Sequence, residues 1–309
     1  MLPNYYIMKK ISKIATLISM SLLLTNYSFS QIEIALRKSF IDSLKHKVCI
    51  ETEYNVVHAH ERANPPAKDG DIHIAGLTTN VGLATVAEIM NAKPEVAAIK
   101  VIHDNEGTED YFKMIGVWRI WCEHSGESKQ IQGQKIPKIK NTNPDHVFEI
   151  HPVTKVKNID LTKTLKPIVG YRYKEANDAF SRYANVRCKL KDKGDMVSIQ
   201  TNGVGYNYVD FWIEIIDAEQ KEVEDGRFVF CAVLDKDKEV VCSKMRMVFP
   251  KDSPAEKKIK TMGEGERLHV IGVPRMSLAL ISYRIENASE NPEMLEWNLP
   301  MEMIIVAKL

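Results

Sequence analysis

Past residue 31, this 309-residue chain has no apolar run approaching the roughly 20 residues that a membrane-spanning helix needs. It also has no charge excess of either sign: 42 Lys and Arg face 41 Asp and Glu. Binders of nucleic acid or of anionic membranes usually carry a clear positive excess, so global attraction to a polyanion is excluded as the basis of function. Cysteine is sparse and odd in number, with five residues at 49, 122, 188, 231 and 242. Catalytic metal signatures such as His-Glu-x-x-His are missing as well.

The N-terminus carries the three parts of a secretory signal. Basic Lys9, Lys10 and Lys13 precede the apolar stretch from Ile14 to Leu24, and small Ser28 and Ser30 flank Phe29. Cleavage is expected before Gln31, so residues 1–30 read as a signal peptide and the protein as exported, periplasmic or extracellular. No cysteine stands at the cleavage position to take a lipid anchor. Those three lysines are the only charges in residues 1–30, so the mature chain holds 39 bases against 41 acids, a net charge of about −2.

Strand patterns dominate the remainder: Val48 to His58, Asp71 to Ala75, Ala84 to Met90, Tyr111 to Trp121 and His146 to Val156, then a second set from Val186 onward. Helical spacing predicts helices over Ile34 to Lys45 and Lys174 to Tyr183. Two short matches share one offset of 156 residues. Ile115-Gly116-Val117-Trp118-Arg119 returns as Ile271-Gly272-Val273-Pro274-Arg275, and Asp69-Gly70 returns as Asp225-Gly226. The expected fold is therefore all-β with a few short helices: two OB-like five-stranded barrels in tandem, with a β-sandwich as the runner-up. The first barrel and its N-terminal helix take residues 31–157, a connector with a helix 158–185, and the second barrel 186–309. Gly116 and Gly272 are expected where a strand must bend sharply.

Three short stretches, Asp69-Gly70-Asp71-Ile72-His73-Ile74, Val86-Ala87-Glu88-Ile89 and Phe148-Glu149-Ile150-His151-Pro152-Val153, resemble a group of uncharacterised exported bacterial proteins with an OB-like domain. The resemblance covers about the first half of the mature chain. It implies the barrel and brings no activity with it.

At a uniform offset of 156 the second half acts as an internal control. Asp71 then falls over Arg227, His73 over Val229, Glu88 over Lys244, Glu149 over Ile305 and His151 over Ala307, so the barrel itself does not call for these acids and imidazoles. Residues two apart on a strand share a face, which pairs Asp71 with His73 and Glu149 with His151. Carboxylate plus imidazole suits a divalent metal such as Zn²⁺, or a histidine general base oriented by an acid. Ordinary alternation of polar and apolar strand residues is the competing explanation. His58 and His60 form a secondary candidate pair. Trp118 and Trp121, with the four lysines of the segment Lys129 to Lys140, are secondary candidates for stacking and binding nucleic acid. Cys231 and Cys242 face each other if the turn at Asp235-Lys236-Asp237-Lys238 has even length, which would allow a disulfide.

These residues lead to an exported binding or interaction module whose polar ligand site comprises Asp71, His73, Glu88, Glu149 and His151, its partner an unidentified ligand or an envelope protein. Two alternatives stand beside it: a metal-dependent hydrolase of nuclease or phosphodiesterase type using the same cluster, and an envelope scaffold with no small-molecule site.

Overall fold

A computed structural model describes residues 32–124, 129–217, 219–288 and 295–309, of which side chains 295–297 are left undescribed. The expected signal segment, residues 1–30, lies outside the described residues. Strands β2 (Cys49–Ala59), β3 (Ile72–Thr78), β4 (Thr85–Ile89), β5 (Phe112–Ile120) and β7 (Phe148–Val156) form the first barrel. β2 pairs antiparallel with β3 and β5, β3 with β4, and β5 with β7, and a parallel β4–β7 pairing closes the ring. Helix α2 (Val96–Asp104) links β4 to β5.

The second barrel repeats this connectivity. Its strands are β12 (Val209–Ile215), β14 (Gly226–Leu234), β15 (Val240–Pro250), β16 (Arg267–Met276) and β18 (Met301–Lys308), with a parallel β15–β18 closure. Helix α4 (Pro254–Ile259) sits where α2 sits in the first. The two closed barrels in tandem match the expected all-β class.

A third sheet was not anticipated. β1 (Ile32–Arg37), β6 (Gln130–Ile131), β10 (Arg187–Lys193), β11 (Met196–Thr201) and β17 (Leu295–Asn298) form it in the order β17-β10-β11-β1-β6. Two expectations are corrected by it. The helix expected over Ile34 to Lys45 begins only at Lys38, as α1 (Lys38–Leu44), because Ile32, Ile34 and Leu36 alternate inward and pair along β11. A helical and a two-residue period coincide over so short an apolar run, and the free edge of β11 decides between them. Likewise the segment 187–201 joins this sheet, so the second barrel's strands start at Val209 rather than at Val186. The helix expected near Lys174 forms as α3 (Ala176–Ala184).

The proposed disulfide is absent. Lys238 adopts positive φ in the turn and the ladder is twice irregular beyond it, so Cys231 pairs with Met245 and Cys242 with Val233. Both thiols are free, Cys231 buried and Cys242 half-exposed. Even a one-residue slip reverses which face a strand residue occupies.

Gly116 marks a real constraint, though one of space rather than of φ. A Cβ there would lie 2.4 Å from Ile150 Cγ2 and 2.7 Å from the Pro152 carbonyl oxygen. The β5–β7 ladder shifts register at this point. Gly116→Ala should therefore cost about 1–3 kcal/mol through overpacking, whereas Gly205→Ala, with nothing within 4 Å of its Cβ, should leave stability nearly unchanged. Denaturant unfolding of both variants checks this, and equal midpoints would contradict the close approach.

Candidate functional site

The first barrel's interior is filled by one parity of residues: Ile72, Ile74, Ala87, Ile89, Trp118, Ile120, Phe148 and Ile150 all belong to the main apolar core. The intervening residues point to the outer face, where the ladder aligns them. His73 stands directly opposite Glu88 on β3–β4, and Arg119 opposite Glu149 on β5–β7. Between Ile150 and Val153, two residues of β7 face one residue of β5, so His151-Pro152 forms a bulge that the β16–β18 ladder lacks at the same place. Bulges of this kind re-aim side chains. The five primary candidates are thereby brought together.

The cluster lies under the second barrel and the segment leading to it. Asp71, Glu88, Arg119, His146, Glu149, His151 and Tyr208 are all at most 2% exposed. The Tyr208 hydroxyl donates to Asp71 Oδ2 and lies 2.8 Å from His151 Nε2. On the other side of the ring, His151 Nδ1 is 3.1 Å from Glu88 Oε2 and 3.6 Å from Glu149 Oε2. Glu149 is held by Arg119 and faces His146 Nε2 at 3.4 Å. His73 Nε2 stands 3.8 Å from Glu88 Oε1 and 3.9 Å from Asp69 Oδ2.

Three of these groups also converge on a common point. One ligand atom each of Asp71, Glu88 and His151 lies within 4.8 Å of the other two. Asp71 Oδ1, Glu88 Oε2 and His151 Nδ1 are buried without a hydrogen-bond partner, and the 3.1 Å approach between the last two is misaligned for a hydrogen bond. The triad could hold a metal ion.

No protein-family model matches the chain, and no curated protein matches it in sequence. Its chemistry therefore has to be read from the site alone.

Charge is distributed unevenly over the cluster. Burial lifts Asp71 well above the usual carboxylate range. Burial would do the same to Glu149, but the Arg119 guanidinium holds it well below that range. At Glu88, too, burial is outweighed, by His151 and then His73, and its pKa is lowered. Burial opposes charge on His151, yet Glu88, Glu149 and Asp71 together raise the imidazole from 6.5 to about 9. Tyr208 stays neutral, its pKa pushed up by burial and by Asp71.

The ladder also corrects the internal control. Arg275 pairs with Glu302 just as Arg119 pairs with Glu149, so the counterpart of Glu149 is Glu302 and not Ile305. A buried Arg–Glu pair is common to both barrels, which makes Glu149 part of the architecture. Glu88 moves too. Ala87 pairs with Ile150 and Met247 with Met303, one residue beyond Glu149 and Glu302 respectively, so Glu88 falls at Val248 rather than Lys244. An acid where the second barrel buries valine is specific to the first barrel.

The secondary candidates separate. His60 stacks on His73 with ring centroids 4.8 Å apart, while His58 turns away to within 3.9 Å of Glu106. Trp118 and Trp121 are fully buried, one under Arg275 and the other edge-on to Tyr183, so neither offers a stacking face for a base. Lys129 pairs with Glu33 at 2.7 Å. Reading the sequence missed Arg119, His146 and Tyr208. Arg119 had a visible signal, since it closes the repeated pentapeptide together with Arg275, whereas Tyr208 arrives from the other barrel and had none.

His151 has a higher pKa folded than its ordinary value, so its charge stabilises the metal-free fold fully below pH 6.5, and that contribution is lost as pH rises through about 9. Asp71, also lifted, acts with the same sign. Metal-free protein should lose roughly 3 kcal/mol across this window on account of His151, and His151→Gln should flatten the slope. Melting temperatures from pH 6 to 9.5 in chelator check it, and a parallel pH profile for parent and variant would count against the assignment.

Proposed function

We propose that this protein is an exported binding module whose ligand is a divalent transition-metal ion, held by Asp71, Glu88 and His151. The observation that carries the reading is a buried triad in which one ligand atom of each residue lies within 4.8 Å of the other two, each residue also having one buried side-chain atom without a hydrogen-bond partner. Leaving a polar atom buried without a partner costs about 1–3 kcal/mol, and a cation held among these three residues would offset such costs. Mixed carboxylate and imidazole donors suit Zn²⁺ and its neighbours among the divalent ions.

The surroundings support the same reading. With His151 neutral and its proton on Nε2, donated to the Tyr208 oxygen, the Nδ1 lone pair faces Glu88. Tyr208 in turn fixes Asp71 through Oδ2 and leaves Oδ1 free to ligate. Metal sites commonly have their ligands oriented by such outer hydrogen bonds. Arg119 neutralises Glu149, so the extra acid does not add uncompensated charge. Export rests on the signal-like N-terminus.

The hydrolase alternative is less well supported, because ligands at most 2% exposed leave no room for a polymeric substrate to meet an activated water. The scaffold alternative has one observation in its favour: Phe230 and Tyr283 are exposed beside Leu280, Met245 and Met301 on the second barrel. Metal content separates them. Purified mature protein, dialysed against Zn²⁺ and then metal-free buffer, should retain one ion per chain, and His151→Ala and Asp71→Asn should retain none. Because His151 must shed its proton, binding below pH 9 should also release protons, which calorimetry in buffers of different ionisation heat detects. A parent chain that retains no metal leaves the scaffold reading.

A further inference from the structure

A cation bound by residues at most 2% exposed needs a way in, and the cluster offers two contrasting approaches, each lined by a stacked pair of imidazoles. On one side His124 stacks on His146, with centroids 5.4 Å apart, and His146 faces Glu149. That approach ends on a carboxylate already bonded to the Arg119 guanidinium, whose positive charge repels a dication. On the other side His60 stacks on His73, and His73 faces Glu88, which has no cationic Lys or Arg partner at hydrogen-bonding distance among the described residues.

Resting on the proposed metal site, we infer that the cation reaches the triad through Asp69 and His73 and is passed inward by Glu88. Exposure falls along this line from 23% at the Asp69 side chain to 14% at His73 and 2% at Glu88. His73 Nε2 lies nearly midway between a surface carboxylate and a buried one, 3.9 Å from Asp69 Oδ2 and 3.8 Å from Glu88 Oε1. Glu88 has one oxygen on each side of the boundary. Oε1 faces His73, and Oε2 faces His151 at 3.1 Å. A dication held by Asp69 and His73 can gain Glu88 Oε1 before losing Asp69, then pass to the triad of Glu88, His151 and Asp71. At each exchange at least one carboxylate stays on the ion, so no step leaves it bare in a dry interior.

The ladder builds this relay, since direct opposition of His73 and Glu88 on β3–β4 sets their separation. Backbone contacts hold His60 against it, with the His60 amide donating to the His73 carbonyl at 3.0 Å and His103 Nε2 meeting the His60 carbonyl at 3.0 Å. Asp69 is braced as well, its Oδ1 accepting from the Asp71 amide and the Asn64 side chain while Oδ2 faces His73. His73 is accordingly a transient ligand on the uptake route and not a ligand of the final site.

Stopped-flow transfer of Zn²⁺ between a chromogenic chelator and the full mature protein tests the route. His73→Ala and Asp69→Asn should slow uptake and release together by about tenfold, with the dissociation constant within about twofold and one ion per chain retained. His124→Ala should match the parent, and His73→Gln, with circular dichroism as a folding check, covers the case in which the alanine variant fails to fold. Unchanged rates in the His73 and Asp69 variants overturn the route while the metal site stands, as does slowing confined to His124→Ala. Loss of the bound ion in His73→Ala also overturns it, by making His73 a ligand. A parent that takes up no Zn²⁺ overturns the metal reading itself.

Discussion

Two fully buried arginines hold this molecule together. Arg119 ion-pairs with Glu149 of its own barrel and donates from Nε to the Pro274 carbonyl of the other at 2.8 Å. Arg275 reciprocates: it pairs with Glu302 at 2.7 Å and donates to the Val48 and Trp118 carbonyls of the first barrel at 3.1 and 3.0 Å. A guanidinium without solvent is tolerable only with its charge matched and its donors occupied. Here both conditions are met only when the barrels are docked. This clasp brings Tyr208 onto Asp71 and His151, and so it is what takes the polar face of the first barrel out of water.

Desolvation then governs the chemistry. Three acids and two imidazoles at a solvated surface would be an unremarkable polar patch. Enclosed, they must divide charge among themselves: Glu149 ionised against Arg119, Asp71 favouring its neutral form, and His151 drawn to its cation by the carboxylates around it. A divalent ion at the proposed site would resolve the same imbalance differently, by displacing the His151 proton and bringing its own charge among the carboxylates.

Much of this was legible from the residue pattern. Two-residue periodicity put Asp71 with His73 and Glu149 with His151, and the repeated Gly-containing pentapeptide pointed to equivalent strands in two barrels. What the pattern could not supply was register. The stretch from Arg119 to Glu149 is three residues longer than that from Arg275 to Glu302, which separates the true counterpart of Glu149 from the one a constant offset assigns, and irregular pairing beyond Lys238 separates Cys231 from Cys242. Trp118 and Trp121, offered by the sequence as stacking faces, are instead fully buried large aromatics, packed against Arg275 and Tyr183. Tyr208 lay beyond reach because its role arises from docking, which no local pattern encodes.

The third sheet has a consequence for how the chain acquires its shape. β1 lies between β6 and β11, and its partners on β11 begin with Thr201 opposite Ile32. The neighbour of β11 on its other side, β10, is completed by β17, close to the C-terminus. The first of the described strands to be synthesised thus finds its place only after most of the polypeptide exists, and the loop closed by that pairing is one of the longest among the described residues. Topologies of such high contact order fold slowly, with both barrels able to form their own ladders while the sheet that ties the chain ends together is still waiting for its members.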